Sequence, residues 1–180
     1  MPPPREAPVA VEVRSARPAD RPPILTLVRR AFTSEGHDGQ EEVDIVEGTW
    51  RSGATVEGLE LVAVVGGRVI GHTLAARGDL GGHDCVAMAP LCVSPEHHNE
   101  GVGSALVEEL IRRADEQGWP LVLVLGDPGY YRRFGFEPSG PYGIVYPPVG
   151  EDDPHFQVRR LGAFDSTLRG PFRYCWEPAP

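Results

Sequence analysis

The chain has 180 residues, of which 41% are hydrophobic and 24% charged, with a formal net charge of −9. That size suits one domain that removes roughly 70% of its unfolded surface from water. The acidic balance leaves no basic footprint of the kind a duplex nucleic acid selects, and mildly favours a cationic small substrate.

No apolar run approaches the roughly 20 residues that span a bilayer, so no membrane partner is expected. Cys85, Cys92 and Cys175 are too few and too irregular for a disulfide framework and point to a reducing cytoplasm. All 17 basic residues are Arg, which reads as coding bias rather than chemistry. The opening "MPPPREAP" has no apolar segment like that of a secretory signal. Residues 1–8 are therefore expected to be a disordered lead, with one domain over residues 9–180.

"VAVEVRSARPAD" predicts a first strand, with Asp20 or its neighbours capping a helix through "ILTLVRRAF". "GQEEVDIVEGTW" carries Val43, Ile45 and Val46 near helical spacing and predicts a second helix. "LELVAVV-GG-RVIGHTLAARGDL-GG-HDCVAMAPLCV" reads as three strands joined by two Gly-Gly hairpins. "GSALVEELIRRADEQG" then places Leu106, Val107, Leu110, Ile111 and Ala114 on one helical face, and Gly118 ends the helix. "PLVLVL" is apolar throughout, as a strand covered on both faces should be. Strand, helix and buried strand make a crossover, so residues 85–93 and 121–125 should be parallel neighbours. "YGIVY", "HFQVRRL" and "PFRYCW" supply a short element and two closing strands.

Pro90 has no N–H for a ladder and should break the pairing with "PLVLVL". The strands would splay, and the freed backbone of Leu91, Cys92 and Val93 would offer hydrogen bonds to an extended, amide-containing ligand. Just beyond lies "SPEHHNEGVGSALVEEL". It lacks the Lys-Ser/Thr of a triphosphate loop, and Leu106 stands where a dinucleotide fingerprint needs a small residue. Gly101 and Gly103 open a helix whose first N–H groups lack partners, which makes a nest for a pyrophosphate. A pyrophosphate followed by an arm of amides describes coenzyme A.

"APLCVSPEHHNEGVGSALV" followed by "VLVLGDPGYYRRFGF" resembles the GNAT superfamily of N-acetyltransferases, and especially a bacterial branch of it. The resemblance covers most of the chain from Val11 onward. It implies an α/β (mixed α+β) domain, with a mostly antiparallel mixed sheet, a splayed parallel pair and helices on both faces. It implies acetyl-CoA or another acyl-CoA as co-substrate, direct acyl transfer to an amine of a small molecule or protein, and no metal. The phosphate loop maps onto His98, Asn99, Glu100, Gly101, Val102, Gly103 and Ser104, with Leu91, Cys92 and Val93 along the arm, Tyr130 beside it and Phe134 packing against the cofactor or the core. His98 stands where the family pattern has Gln or Arg, which predicts weaker or pH-dependent affinity. An alternative is an acyl-CoA-binding or sensing module that kept the fold without the chemistry. A monomer or homodimer is expected.

The resemblance also places Tyr131, four residues before Gly135-Phe136, as the general acid for the leaving thiolate. A phenol near pKa 10 is a weaker acid than the thiol near 8.5, so the transfer is uphill by about 1.5 units or roughly 2 kcal/mol. No base is assigned among Glu35, His72, His83, Asp84 and Asp127, and Asp127 is expected to order the "DPGYY" turn. Cys92 has no His partner in sequence and reads as a buried thiol rather than a nucleophile. Cys92 lies seven residues from Cys85, on the other face of an unbroken strand, which argues against a zinc site built with His83. Residues 30–55 and those after Phe136 should shape the acceptor site. Glu151, Asp152 and Asp153 read as solvated surface.

Overall fold

The computed structural model describes residues 10–34 and 36–177, so the expected lead and Glu35 lie outside the described residues. In chain order come β1 (Glu12–Ser15), α1 (Arg21–Phe32), a two-residue ribbon of β2 (Thr33–Ser34) and β3 (His37–Asp38), and α2 (Gln40–Ser52). The long strands β4 (Thr55–Val65), β5 (Arg68–Leu80) and β6 (His83–Val93) follow, then α3 (Val102–Glu116) and β7 (Leu121–Leu125). The chain ends with the short helix α4 (Pro128–Tyr131), β8 (Glu137–Pro138), β9 (Ile144–Val145), β10 (Phe156–Arg160) and β11 (Gly170–Tyr174).

The main sheet runs β1-β4-β5-β6-β7-β10-β8, and β11 adds to the far end of β5. Every pair along that path is antiparallel except β6–β7. The hairpins turn at Gly66-Gly67 and Gly81-Gly82, and all four glycines have positive φ, which a side chain resists.

Side-chain alternation along the strands sorts the core into layers. Leu61, Ala63, Ala75, Val86 and Met88 meet Val102, Leu106, Val107, Leu110 and Ala114 of α3 on one face. Val62, Val64, Leu74 and Cys92 meet Ile24 and Val28 of α1 and Val43 and Val46 of α2 on the other. Beyond the helices, Cys85, Ala87, Leu121 and Leu123 pack against Ile144, Phe156, Phe172 and Tyr174.

The parallel pair is short. Val86, Ala87 and Met88 pair with Val122, Leu123 and Val124, and the ladder goes no further. On the opposite edge β6 keeps contact with β5, but two residues, Ala89 and Pro90, stand opposite the single Leu74. This bulge has a consequence that counting along an unbroken strand misses. It restores Cys92 to the same side of the sheet as Cys85, and puts Leu91 and Val93 on the α3 side with Val86 and Met88. The two thiols still sit in separate clusters.

No helix among the described residues is long and apolar enough to cross a membrane. Helix α3 lies close over β5 at Gly71, where an added Cβ would lie 2.9 Å from Leu106 Cδ1 and 3.0 Å from Val102 Cγ1. Gly71→Leu should therefore force α3 off β5 and cost about 1–3 kcal/mol of stability by overpacking. Urea unfolding followed by circular dichroism checks this, and an unchanged midpoint would show that α3 does not need the close approach.

Candidate functional site

Two cavities lie on either side of the point where β6 leaves β7, and the Leu91 segment belongs to both walls. The first, about 510 Å³, is closed by the end of β6, the loop into α3 and the short helix α4. Asn99 and Gly101 both have positive φ, 64° and 81°, and α3 begins immediately after Gly101. Backbone N–H groups of the first turn thus point at the cavity without intrahelical acceptors.

Gly103 has an ordinary φ, so its lack of a side chain answers to space rather than dihedral. A Cβ there would lie 2.7 Å from the Tyr130 hydroxyl. The nest and the tyrosine share a space that any larger residue would fill.

The wall carries Leu91, Cys92, Val93, His98, Asn99, Gly101, Val102, Gly103, Ser104 and Tyr130 of the residues singled out in the sequence. Glu100 and Phe134 are off it. The Glu100 carboxylate turns to His97 Nδ1 at 2.8 Å, and Phe134 packs edge-on to Tyr130 and against the α3-side core. Cys92 presents only its backbone side to the cavity, since its thiol is 5% exposed in the α1–α2 core.

Ser94 N–H donates to Ile70 O at 2.7 Å, so alternation turns the backbone groups of Leu91 and Val93 toward the gap. His98 Nε2–H donates to the Val93 carbonyl at 3.0 Å. The imidazole therefore covers an edge carbonyl instead of reaching freely into the nest. Arg133 is a residue the sequence reading missed. It lines the cavity, stacks over Tyr130 at 4.7 Å and donates to the Tyr130 carbonyl at 2.9 Å. The only signal was a second arginine in "YYRRFGF", and periodicity cannot say which of the two turns inward.

The second cavity, about 570 Å³, lies under the splay. Tyr131 forms part of its wall, 9% exposed, and makes no hydrogen bond through its hydroxyl to another described residue. Its ring lies over Gly126 so closely that a Cβ at 126 would collide with it. Asp127 fixes the turn by accepting from Gly129 N–H at 2.8 Å and capping α4. Tyr130 and Tyr131 are consecutive on this helix, with rings 5.0 Å apart and nearly perpendicular at 86°, so one phenol faces each cavity.

Burial raises the Tyr130 phenol above its ordinary pKa, with the neighbouring Ser104 pulling the other way. Burial raises Tyr131 far more. Proton loss from Tyr131 is thus more uphill than from a free phenol, and the hydroxyl stays neutral and keeps its hydrogen.

The remaining wall comes from distant segments: Phe32, Glu41, Glu42 and Ile45 from α1 and α2, and Tyr146, Tyr174, Trp176 and Glu177 from the end of the chain. Glu151, Asp152 and Asp153 are not on it. Of the polar residues weighed as bases, His83 and Asp84 sit exposed at the β5–β6 hairpin, the opposite end of β6 from the splay. His72 is fully buried beside Glu60, at 3.0 Å, and Glu60 also accepts from Trp50 Nε1 at 2.9 Å. That cluster holds β4 to α2.

Residues 57–138 match the family described as "Acetyltransferase (GNAT) domain". The uncharacterized N-acetyltransferase YhbS of Escherichia coli is 34% identical over 160 residues, 88% of this chain and 90% of that protein. The uncharacterized N-acetyltransferase YjhQ of the same organism is 32% identical over 145 residues, 77% of this chain and 80% of the other. Among solved structures, the Escherichia coli YhbS complex with CoA superposes with a TM-score of 0.82 at 32% identity, covering 94% of this chain and 92% of that one. A GNAT-family acetyltransferase from Brucella melitensis in complex with acetyl-CoA gives a TM-score of 0.75 at 28% identity, covering 92% and 96%.

The Cys92 thiol, turned into the α1–α2 core, is pushed up to about 12 by burial, which leaves it protonated at neutral pH. Iodoacetamide at pH 8 should alkylate the exposed Cys175 and spare Cys85 and Cys92 until the chain is unfolded. Peptide mass spectrometry checks this, and rapid native labelling of Cys92 would restore it as a nucleophile.

Proposed function

The chain belongs to the GNAT acetyltransferases, and on that premise we propose how its own residues divide the work of moving an acetyl group from acetyl-CoA to an amine. The observation that carries the proposal is the pair of cavities meeting at Leu91, with a backbone nest in one and an unpartnered, buried phenol in the other. The residues fit the co-substrate at a point that admits little else, since Gly103 leaves open the space beside Tyr130.

The N–H groups of Gly101, Val102, Gly103 and Ser104 would hold the pyrophosphate with the positive end of α3, and Arg133 adds the guanidinium that His98 does not supply. His98 acts one step back, by holding the Val93 carbonyl and so the shape of the open strand edge. Leu91 and Val93 would pair with the pantetheine amides.

The reaction forms a C–N bond between amine and acetyl carbon and breaks the C–S bond. The entering ammonium loses two protons on becoming an amide: one is released to water, and the other is matched by the proton that the departing thiolate takes up to leave as the thiol. Tyr131 would donate its hydroxyl hydrogen bond to that sulfur. Its burial favours the neutral phenol, so the donor hydrogen is present across the working pH range. The three free thiols support a reducing cytoplasm as the setting.

Two variants test the assignment separately. Gly103→Val should leave the fold intact and weaken acetyl-CoA binding by at least about tenfold, because the side chain fills the space beside Tyr130. Calorimetry measures it, and unchanged affinity would remove the nest. Tyr131→Phe should keep acetyl-CoA affinity and the acceptor's Michaelis constant while lowering the chemical step by roughly 10²–10⁴-fold. An undiminished single-turnover rate would leave Tyr131 as packing.

A further inference from the structure

The second cavity has a chemical character that the transfer reaction alone does not demand. Its far wall is aromatic: Tyr174 and Trp176 stack at 4.0 Å, and Tyr146 meets Tyr174 edge-on at 5.6 Å. Glu177 is clamped between them. Its Oε1 accepts from the Tyr146 hydroxyl at 2.6 Å, and its Oε2 accepts from Tyr174 N–H at 3.0 Å. Across the opening stand Glu41 and Glu42, in the first turn of α2. Glu42 already pairs with His37 at 2.9 Å, whereas Glu41 is exposed.

Among the described residues no Arg, Lys or His lies on this wall. On the same wall Tyr131, 9% exposed as a residue, has a hydroxyl with no hydrogen-bond partner among the described residues. It is a polar group that a reactant has to satisfy.

We propose that this cavity takes a primary ammonium on an apolar, ring-bearing carrier that has no carboxylate or phosphate. The proposal rests on the transfer reading above and names its acceptor class. A cation is drawn in twice, by the carboxylates of Glu41 and Glu177 and by the negative faces of the aromatic rings. Phe32, Ile45 and Pro90 supply apolar surface for the body of the acceptor. An anionic group on the same molecule would sit among carboxylates with no wall cation to answer it, and such like-charge contacts are strongly unfavourable. Free amino acids, nucleotides and sugar phosphates are thereby selected against.

The test compares two amines that differ by one carboxylate. The full chain, saturated with acetyl-CoA, is assayed with phenethylamine and with phenylalanine, and the N-acetyl products are measured by mass spectrometry. The expected kcat/KM is at least about tenfold higher for phenethylamine. Glu41→Arg reverses a charge at an exposed position whose side chain makes no hydrogen bond or ion pair among the described residues. It should lower the phenethylamine value about fivefold through KM and narrow the gap between the two amines. A preference for phenylalanine, or a gap indifferent to Glu41→Arg, overturns the acceptor class and leaves the acetyl-transfer reading standing. If neither amine is turned over, calorimetric titration of phenethylamine into the acetyl-CoA-saturated protein decides: binding that weakens in Glu41→Arg supports the class, and its absence overturns it. A chain that does not bind acetyl-CoA at all sinks the transfer reading and this inference together.

Discussion

The whole site depends on one interruption. A parallel pair buried on both faces would ordinarily run the length of its strands, since each unpaired N–H or carbonyl in a core costs about as much as a lost hydrogen bond. Here the ladder stops after Met88 and Val124, because Pro90 has no donor and the bulge around it carries β6 away from β7. The strand past the bulge stays bonded to β5, so the sheet survives on that side while an edge opens on the other. Leu125, at the open end of β7, is left 44% exposed. The wedge is not empty structural slack. It brings an open strand edge, a helix N-terminus and a buried phenol to the walls of two adjoining cavities.

The two tyrosines show how the fold assigns roles to neighbours. Successive residues on a helix point about 100° apart, so a single turn is enough to send consecutive phenols into different spaces. That requires the turn to be rigid. Asp127 holds its start, Gly126 lets the Tyr131 ring lie flat against the backbone, and Tyr131 packs edge-on to Phe136 at 5.6 Å. Arg133 holds Tyr130 from the other side. A turn this constrained keeps the Tyr131 hydroxyl in place before any ligand arrives, which is what preorganised catalysis asks of a donor.

Much of this was legible in the sequence because the signals are local. Two Gly-Gly pairs between alternating apolar runs specify hairpins, and the apolar spacing from Leu106 to Ala114 specifies a helix with one buried face. Pro90 inside a strand announces a break. What stayed hidden is what depends on position in space. The bulge shifts every residue after Ala89 by one place, so the face of Cys92 could not be counted from Cys85. Arg133 and Arg132 are equivalent on paper, and only the turn geometry sends the former to the cavity. The aromatic wall comes from Tyr146, Tyr174 and Trp176, which reach the splay because β11 crosses back to pair with β5. No spacing rule links residues 146 and 176 to a cavity under residue 90.

The charges follow the same division as the tyrosines. On the nest side the wall offers Arg133 and the positive end of α3. On the other side it offers carboxylates and aromatic faces, with no described cation among them. The two sets are separated by little more than the Leu91 strand, so the proposed ligands would each meet attraction in one cavity and repulsion in the other. On the function proposed above, a polyanionic arm would be favoured in one orientation, with its phosphates at the helix and its neutral thioester end at Tyr131. On the same proposal an ammonium would enter from the opposite side. For a chain with a net charge of −9, a basic nest is the local exception, and the exception falls where the sequence places two glycines at the start of a helix.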